Sequence, residues 1–278
     1  MLSIDFKTIL HNSKTRYGLS ILALLSLIAI FSPWIAPFDP IAIHLDQRLL
    51  PINSLHWCGT DELGRDILSR LMYGCRITLK IVLLVTLFTA PLGLILGSAA
   101  GFLGGIADAV IMRFTDLFLS FPKLILAMAL SAALGPGLDN AIISISLTAW
   151  APYARLCRAA TLSLRSRDFI HAIRLQGASN TRIICKHIMP LCLPTLFTRI
   201  NLDMAGFILT AAGLSFIGLG AQPPLPEWGA MLASSRNYLL THWWAAFFPG
   251  LAIFIVSLGF NLFGEGLRDY YDRKGVSL

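Results

Sequence analysis

Long apolar stretches without a charged side chain recur along this chain and constrain its fold more than any other feature. Residues 17–36 and 81–107 contain no Asp, Glu, Lys or Arg. About 20 such residues are enough for an α-helix to cross the hydrocarbon core of a bilayer. Because a helix satisfies its backbone hydrogen bonds internally, these runs predict membrane-spanning helices.

The composition excludes an ordinary soluble domain and gives no support to a nucleic-acid partner. The chain is 56% hydrophobic and 13% charged, whereas soluble domains carry about 25% charged residues. Its 22 Lys and Arg exceed its 15 Asp and Glu. These basic residues are grouped between apolar runs, as the positive-inside rule requires, rather than interleaved with aromatic residues on one face. Membrane lipid is therefore the predicted surrounding.

The sequence predicts an all-α, polytopic protein with six transmembrane helices. The first follows Lys7, Lys14 and Arg16, and it is longer than the apolar part of a signal peptide, so we interpret it as a retained helix. Pro122 predicts a kink in the third span. The spans are expected at residues 17–36, 81–107, 108–134, 141–154, 204–226 and 237–264. Small residues predict close helix packing in the second span, namely Gly93, Gly97, Ala100 and Gly101.

The orientation of the spans follows from the distribution of basic residues. Residues 155–199 contain eight Lys or Arg, which places this loop in the cytoplasm, together with both termini. The polar segment 37–76 is then extracytoplasmic, although it contains four arginines. We therefore divide the chain into residues 1–76, with a cytoplasmic tail, the first helix and the extracytoplasmic segment, and residues 77–278. The second part is a five-helix core with a cytoplasmic loop at about 160–192.

Two polar clusters lie on the predicted extracytoplasmic side. In residues 58–71, Thr60 or Asp61 is a candidate N-cap of a helix whose exposed face would carry Arg65 and Asp66. Residues 223–229 contain three prolines before Glu-Trp-Gly, which indicates a stiff turn with an interfacial Trp. Both patterns also fit ordinary solvated structure. A disulfide between Cys58 and Cys75 stays open at this point.

The basic loop contains a predicted helix pair. Residues 168–176 fit a short amphipathic helix that Gly177 ends, and a second helix runs to Met189-Pro190. One stripe of the first helix contains Phe169, Ala172, Ile173 and Gln176. Such a pair either lies on the membrane surface and attracts anionic lipid, or docks in a groove of a partner protein.

Several segments together resemble the permease family of ABC importers of the dipeptide, oligopeptide and nickel type. In that family the signature Gly-Thr-Asp-x-x-Gly-Arg-Asp-x-x-Ser-Arg precedes the second span, and residues 59–70 match it throughout. Residues 218–220, 227–231 and 261–269 match as well. The extracytoplasmic signature thus comprises Gly59, Thr60, Asp61, Gly64, Arg65, Asp66 and Arg70, with Glu227 and Trp228.

The family's cytoplasmic coupling motif is similar to the helix pair of this chain. That motif reads Glu-Ala-Ala, three residues, Gly, nine residues and Ile-x-Leu-Pro, and the spacing is kept here. The residues differ at four positions, since His171, Ile173, His187 and Met189 replace Glu, Ala, Ile and Leu. The resemblance implies docking on an ATPase subunit through Asp168, His171, Ala172, Ile173, Gly177, Ala178, His187 and Pro190.

The resemblance implies a machine in a bacterial inner membrane rather than an enzyme. Its other parts would be a second homologous permease, two ATP-binding subunits and an extracytoplasmic substrate-binding protein. This chain has no Gly-x-x-x-x-Gly-Lys-Ser/Thr motif to cradle phosphates. We therefore expect no cofactor in this chain, with ATP and Mg²⁺ used by the partner subunits. Its six histidines show no metal-ligand spacing.

The cargo expected from the resemblance is a di- or oligopeptide, with nickel or a metal chelate as the alternative. An ion-driven secondary transporter is a more distant alternative, and it would need ionisable residues near the bilayer midplane. A hydrolase is excluded because no nucleophile or zinc motif is present. Candidates for the translocation path are Asn201, Asp203 and Asn261. Asp203 alternatively pairs with Arg199, one helical turn away.

Overall fold

A computed structural model describes residues 12–273, and within them it contains helices and turns and no β-strand. The predicted all-α class is confirmed. The helices are α1 (Ser13–Ile35), α2 (Ile67–Leu103), α3 (Gly105–Ser120), α4 (Lys123–Leu134), α5 (Leu138–Ala149), α6 (Ala151–Arg165), α7 (Asp168–Leu175), α8 (Asn180–Ile183), α9 (Met189–Phe216), α10 (Trp228–Ser235) and α11 (Trp244–Arg273). Short 3₁₀ turns cover Leu45–Gln47 and Arg236–Tyr238, and a π turn, Ile184–Ile188, joins α8 to α9.

Within residues 12–273, four helices are long and apolar enough to cross a membrane, or five when a bent pair counts as one span. The four are α1, α2, the continuous stretch from α8 to α9, and α11, while α3 and α4 form the pair, bent by 94°. The expected kink at Pro122 is thus a full break. The predicted span at 141–154 is divided between α5 and α6. The number six and the orientation of the spans stay predictions. Lys7, which enters the prediction of the first span, lies outside the described residues.

Two predicted spans begin in the wrong place because charged residues are accommodated by pairing inside the protein. The second was expected from residue 81, but α2 starts at Ile67, where Asp66 caps it and Arg70 in the next turn is buried. The fifth was expected at 204–226, but its helix ends at Phe216 and includes Arg199 and Asp203. Residues 217–243 instead form the connection that contains α10.

Glycines bring α2 into direct backbone contact with α6. A Cβ atom built on Gly97 would overlap the carbonyl oxygen of Ala154, and one built on Gly101 would lie 2.8 Å from Cβ of Thr161. Gly93 meets Tyr153 in the same way. The prediction of close packing from small residues is confirmed at these three glycines, since such residues let helix backbones approach in lipid. The helix they contact was not predicted.

The first and last spans form a second close pair. A Cβ atom on Gly18 of α1 would lie 2.8 Å from the carbonyl oxygen of Gly259 in α11. An ion pair of 3.1 Å joins Lys14 to Glu265 at one end of the pair. Helix α9 packs against both α2 and α11, and so it connects the α2–α6 pair to the α1–α11 pair.

Helix α3 is attached to α6 by two ion pairs. The guanidinium of Arg158 binds both carboxylate oxygens of Asp108, at 2.5 and 2.6 Å, and Arg155 binds Asp116 at 2.7 Å. A bidentate guanidinium–carboxylate pair fixes orientation as well as distance. These pairs hold α3 beside α6, while α4 turns away toward α5.

The contact between α2 and α6 gives a stability prediction. Gly97→Ala should destabilise the purified protein by about 1–3 kcal/mol, the usual cost of overpacking, because the added Cβ displaces the Ala154 backbone. Gly206→Ala is the matched control, since a Cβ there meets no atom within 4 Å and helical Ala is favoured over Gly. Thermal unfolding in detergent should show a lower midpoint for Gly97→Ala alone. Equal midpoints would contradict the close contact.

Candidate functional site

Residues 59–70 form a buried turn, called the clasp below, that joins segment 37–66 to the start of α2. Gly59 and Gly64 adopt φ of +74° and +75°, a region that side chains with a Cβ rarely enter. A Cβ on Gly64 would also overlap the backbone carbonyl of His44. The two glycines of the family signature are therefore required by backbone geometry.

The Asp61 carboxylate organises the first half of the clasp. Its Oδ1 accepts the backbone N–H groups of Leu63 and Arg65, each at 2.9 Å. Its Oδ2 lies 2.7 Å from Nε of Arg65 and 3.5 Å from Nε of Arg70. Arg70 also donates to the carbonyl oxygen of Pro40 at 2.8 Å. One carboxylate thus binds two arginines and fixes the path of the chain around them.

The Asp66 carboxylate organises the second half. Its Oδ2 accepts the backbone N–H and the hydroxyl of Ser69, both at 2.7 Å, and so caps α2. Its Oδ1 lies 2.9 Å from Nδ1 of His56, whose Nε2 lies 3.2 Å from Oε1 of Gln47. Thr60 donates to the Gln47 carbonyl at 2.5 Å. These bonds connect the clasp to the 3₁₀ turn at Leu45–Gln47.

The clasp corrects two expectations. The N-cap of α2 is Asp66, not Thr60 or Asp61. The side chains of Arg65 and Asp66 are not on an exposed helical face, since these residues are 5% and 3% exposed. The reason is that buried charges are stable when paired and hydrogen-bonded, and here each carboxylate has several donors.

The two cysteines of this region are free in the structure. Cys58 and Cys75 are both buried and form no disulfide. Burial, and then the nearby Asp66 carboxylate, raise the pKa of the Cys58 thiol to about 11. The thiol therefore stays protonated and unreactive at neutral pH.

Glu227 and Trp228 fasten α10 onto α2. Glu227 Oε2 accepts the N–H of Ala230 at 2.8 Å and caps α10, and burial raises the pKa of this carboxyl. The indole N–H of Trp228 donates to the carbonyl oxygen of Leu71 at 3.2 Å. Trp228 is 1% exposed and lies over Gly74. The expectation of an interfacial Trp is therefore wrong.

Helix α7 ends in the backbone arrangement that favours glycine. Gly177 has φ of +81° and donates to the Arg174 carbonyl at 3.0 Å, and Ala178 donates to Ile173 at 3.4 Å. This is the Schellman motif, in which a left-handed residue satisfies the last carbonyls of a helix. The inner side of α7 places Ile170 against Phe102 of α2 and against isoleucines of α8 and the π turn.

The opposite side of α7 is open. Phe169, Ala172 and Gln176 are exposed, Leu175 is 89% exposed, and no atom approaches a Cβ on Gly177 within 4 Å. Ile173 packs on the inner cluster, so it does not share their stripe as expected. The sequence pattern missed Ile170 and Leu175. Of the expected coupling residues, Asp168, His171 and Ala172 lie in α7, and Gly177 and Ala178 lie in the turn that follows it. His187 lies in the π turn, and Pro190 lies in the first turn of α9.

The three candidates for a translocation path do not form one site. Arg199 Nε lies 2.8 Å from Asp203 Oδ2, so the ion pair considered above exists. Asn201 is buried and donates to the Phe197 carbonyl of its own helix at 2.7 Å. Asn261 is exposed on α11. A further polar residue near this pair is Lys123 at the start of α4, whose Nζ lies 4.7 Å from the centre of the Phe207 ring.

The described residues, 12–273, contain no group of three or more His, Cys, Asp or Glu side chains placed to hold a metal ion. The arrangement consists of apolar helices, a buried clasp and an exposed helix pair between spans. Together these define a polytopic membrane protein with a helix pair exposed between two of its spans.

Comparison with known proteins identifies the family. Residues 93–275 match the family described as binding-protein-dependent transport system inner membrane component, and residues 7–51 match the N-terminal TM domain of oligopeptide transport permease C. The chain belongs to this family of importer permeases, as the resemblance implied.

Three relatives illustrate the range of the family. The probable D,D-dipeptide transport system permease protein DdpC of Escherichia coli (strain K12) is 48% identical over 254 residues, 91% of this chain and 85% of that protein. The nickel transport system permease protein NikC of the same strain is 46% identical over 264 residues, 95% of each chain. The di/tripeptide transport system permease protein DppC of Pseudomonas aeruginosa (strain UCBPP-PA14) is 43% identical over 270 residues, 95% of this chain and 89% of that protein.

The clasp gives a prediction for Asp66→Ala. The change removes the cap of α2 and leaves His56 and Ser69 without their buried acceptor, which should cost about 2–4 kcal/mol in total. Segment 37–66 should then be cut faster by protease in the purified protein, with a lower unfolding temperature. Asp46→Ala, at an exposed position of the same segment, is the control. Identical cleavage rates for both variants would argue against the clasp.

Proposed function

We propose that this chain is one permease of an ATP-driven importer that passes small peptides from an extracytoplasmic binding protein into the cytoplasm. Two ATP-binding subunits and a second permease complete the machine, and ATP and Mg²⁺ are used by the ATP-binding subunits. The single observation that carries the coupling role is the free outer surface of α7, where Phe169, Ala172 and Leu175 are exposed beside the turn at Gly177.

The inner surface of α7 supports transmission of force to the spans. Ile170 contacts Phe102 near the end of α2, and it belongs to the same cluster as Ile188 before α9. Two residues separate α7 from α6. A partner that binds α7 more tightly in one arrangement therefore shifts the whole bundle toward that arrangement, by the difference in its two affinities.

Peptides are the favoured cargo because relatives over nearly the whole chain have names of peptide and dipeptide permeases. Nickel or a nickel chelate is the second candidate, on the strength of the 46% identical nickel permease. Selection between these cargos rests largely with the binding protein. An ion-driven mechanism receives less support, since Asp203 is already paired with Arg199.

The proposed arrangement has six spans, with both termini in the cytoplasm of a bacterium and the chain in its inner membrane. Helices α5 and α6 together make the fourth span, interrupted at Trp150. Residues 1–76 bring the first span and the clasp, and residues 77–278 form the five-helix core with the coupling loop at about 160–192. The clasp, in this arrangement, holds the surface on which the binding protein lands.

Thiol labelling tests this orientation. Single cysteines replacing Asn53, Gln222 or Asn180 in a cysteine-free chain all lie at exposed positions, so accessibility differs only by membrane side. In intact cells an impermeant reagent should label positions 53 and 222 and spare 180, which should react after permeabilisation. Labelling of position 180 alone in intact cells would reverse the orientation.

Two substitutions test coupling. Ala172→Arg puts a bulky charge on the exposed docking face without backbone strain, and it should lower transport and co-purification of the ATP-binding subunits at least tenfold. Gly177→Val should act similarly, because the left-handed conformation costs a residue with a Cβ about 1–2 kcal/mol. Membrane levels should stay near normal in both.

The control for these variants is Asn180→Ala, at an exposed position just beyond the turn. It should transport and co-purify like the unmodified chain. Normal transport by Ala172→Arg would remove the docking role of this surface. Disappearance of Gly177→Val from the membrane, with Ala172→Arg unaffected, would assign the turn to folding alone.

A further inference from the structure

Lys123 is the first residue of α4, and no carboxylate of the described residues lies within 4.0 Å of its ammonium group, although the more distant Asp203 attracts it. Every ion pair found within 4.0 Å joins other residues. The side chain is partly buried, with Nζ 4.7 Å from the centre of the Phe207 ring. A charged group within a span costs about 2.5–3.5 kcal/mol on insertion scales, so it is retained for a function.

The surroundings of Lys123 carry an excess of positive charge. Arg199, Asp203 and Phe207 follow one another at intervals of four on one face of α9, and Arg199 binds Asp203 at 2.8 Å. Two cations and one carboxylate leave a net charge of +1 on this polar stripe. Because the Asp203 carboxylate is held by Arg199, it does not serve as the close partner of Lys123.

A buried hydroxyl lies at the same place. Tyr153 of α6 is 1% exposed, and its hydroxyl lies beside the Asp203 carboxylate without reaching good hydrogen-bond geometry. Buried polar groups normally have a partner, and an exception needs an explanation. A polar ligand near the stripe would supply one.

The backbone at Lys123 adds a second positive feature. Lys123 is the first residue of α4 and follows the 94° break directly, and Pro122 at the N-cap makes no side-chain cap. The N-terminal end of a helix favours anions. Non-helical backbone at membrane depth is tolerated only inside protein or along a water-filled cavity. Broken helices of this kind present their N-termini to anionic groups of a solute in other transporters.

We infer that Lys123 and the first turn of α4 form an anion-recognising point in the translocation path, which takes the carboxylate of the cargo. The inference rests on the proposed import function and narrows its cargo class. Peptides with a free C-terminal carboxylate fit, and so does a metal carried by a carboxylate chelator. A bare metal cation does not fit, because Lys123 and Arg199 repel it.

The test uses the complete transporter, with both permeases, the ATP-binding subunits and the binding protein, in liposomes. Uptake of radiolabelled dialanine and of Ni²⁺ citrate is measured, together with ATP hydrolysis. Lys123→Gln should lower uptake per ATP about tenfold, and Lys123→Arg should restore most of it. Lys80→Gln is the matched control, because Lys80 lies on a span but is paired with Asp139 at 3.1 Å.

The outcomes separate the inference from the proposed function. If the unmodified transporter takes up Ni²⁺ citrate and not dialanine, the peptide assignment fails, while a selective loss in Lys123→Gln still supports the anion point. Unchanged uptake per ATP in Lys123→Gln overturns the inference. Loss of assembly or of ATP hydrolysis in proportion to uptake also overturns it, since Lys123 would then pair with the second permease. Uptake of neither probe contradicts both.

Discussion

The hydrocarbon of a bilayer offers no hydrogen-bond partner, and the whole structure follows from the need to satisfy polar groups inside the chain. Hydroxyls within the spans donate to carbonyls one turn back, as Thr89 does to Val85 and Thr198 to Pro194. Ionisable groups pair before they enter the apolar region, as Arg158 does with Asp108. With no hydrophobic force between helices in lipid, close contact is left to small residues such as Gly97, which set where α2 and α6 meet.

The same requirement explains the non-helical segment before α2. Segment 37–66 leads from the end of α1 to the start of α2. Its turns contain buried backbone groups and buried charged side chains. Asp61 and Asp66 each accept several donors, so the segment folds around two carboxylates rather than around apolar side chains. Glu227 repeats this device at α10. The family signature is therefore a structural element first, and the surface proposed above for the binding protein is the outside of segment 37–66.

Much of this could be predicted from the sequence, and the errors have physical causes. The apolar runs located α1 and α11, and the turn at Gly177 followed from its position after an amphipathic helix. The early starts of α2 and α9 could not be predicted, because Arg70 and Arg199 read as aqueous until their partners are known. Burial of Arg65 and Trp228 depends on contacts with residues far along the chain, which helical periodicity does not contain. The three candidates for the translocation path do not form one site for a related reason. The sequence does not show that an amide such as that of Asn201 donates its hydrogen bond to a carbonyl of its own helix.

Helix α6 links the two sites proposed above. At one end it leads through two residues into α7, the proposed docking helix, and toward the other end it carries Tyr153, beside Asp203. Its 15 residues span about 22 Å. The glycines of α2 let α6 approach so closely that one added Cβ atom, at Gly97, would overlap the carbonyl oxygen of Ala154. A displacement of α7 is therefore passed to α6 and α2 as one body, and it reaches the polar stripe as a shift of Tyr153 against α9. If the proposed ATP-binding subunits displace α7, the surroundings of the Arg199–Asp203 pair change, and the clasp moves with the same body because it contains the first turn of α2.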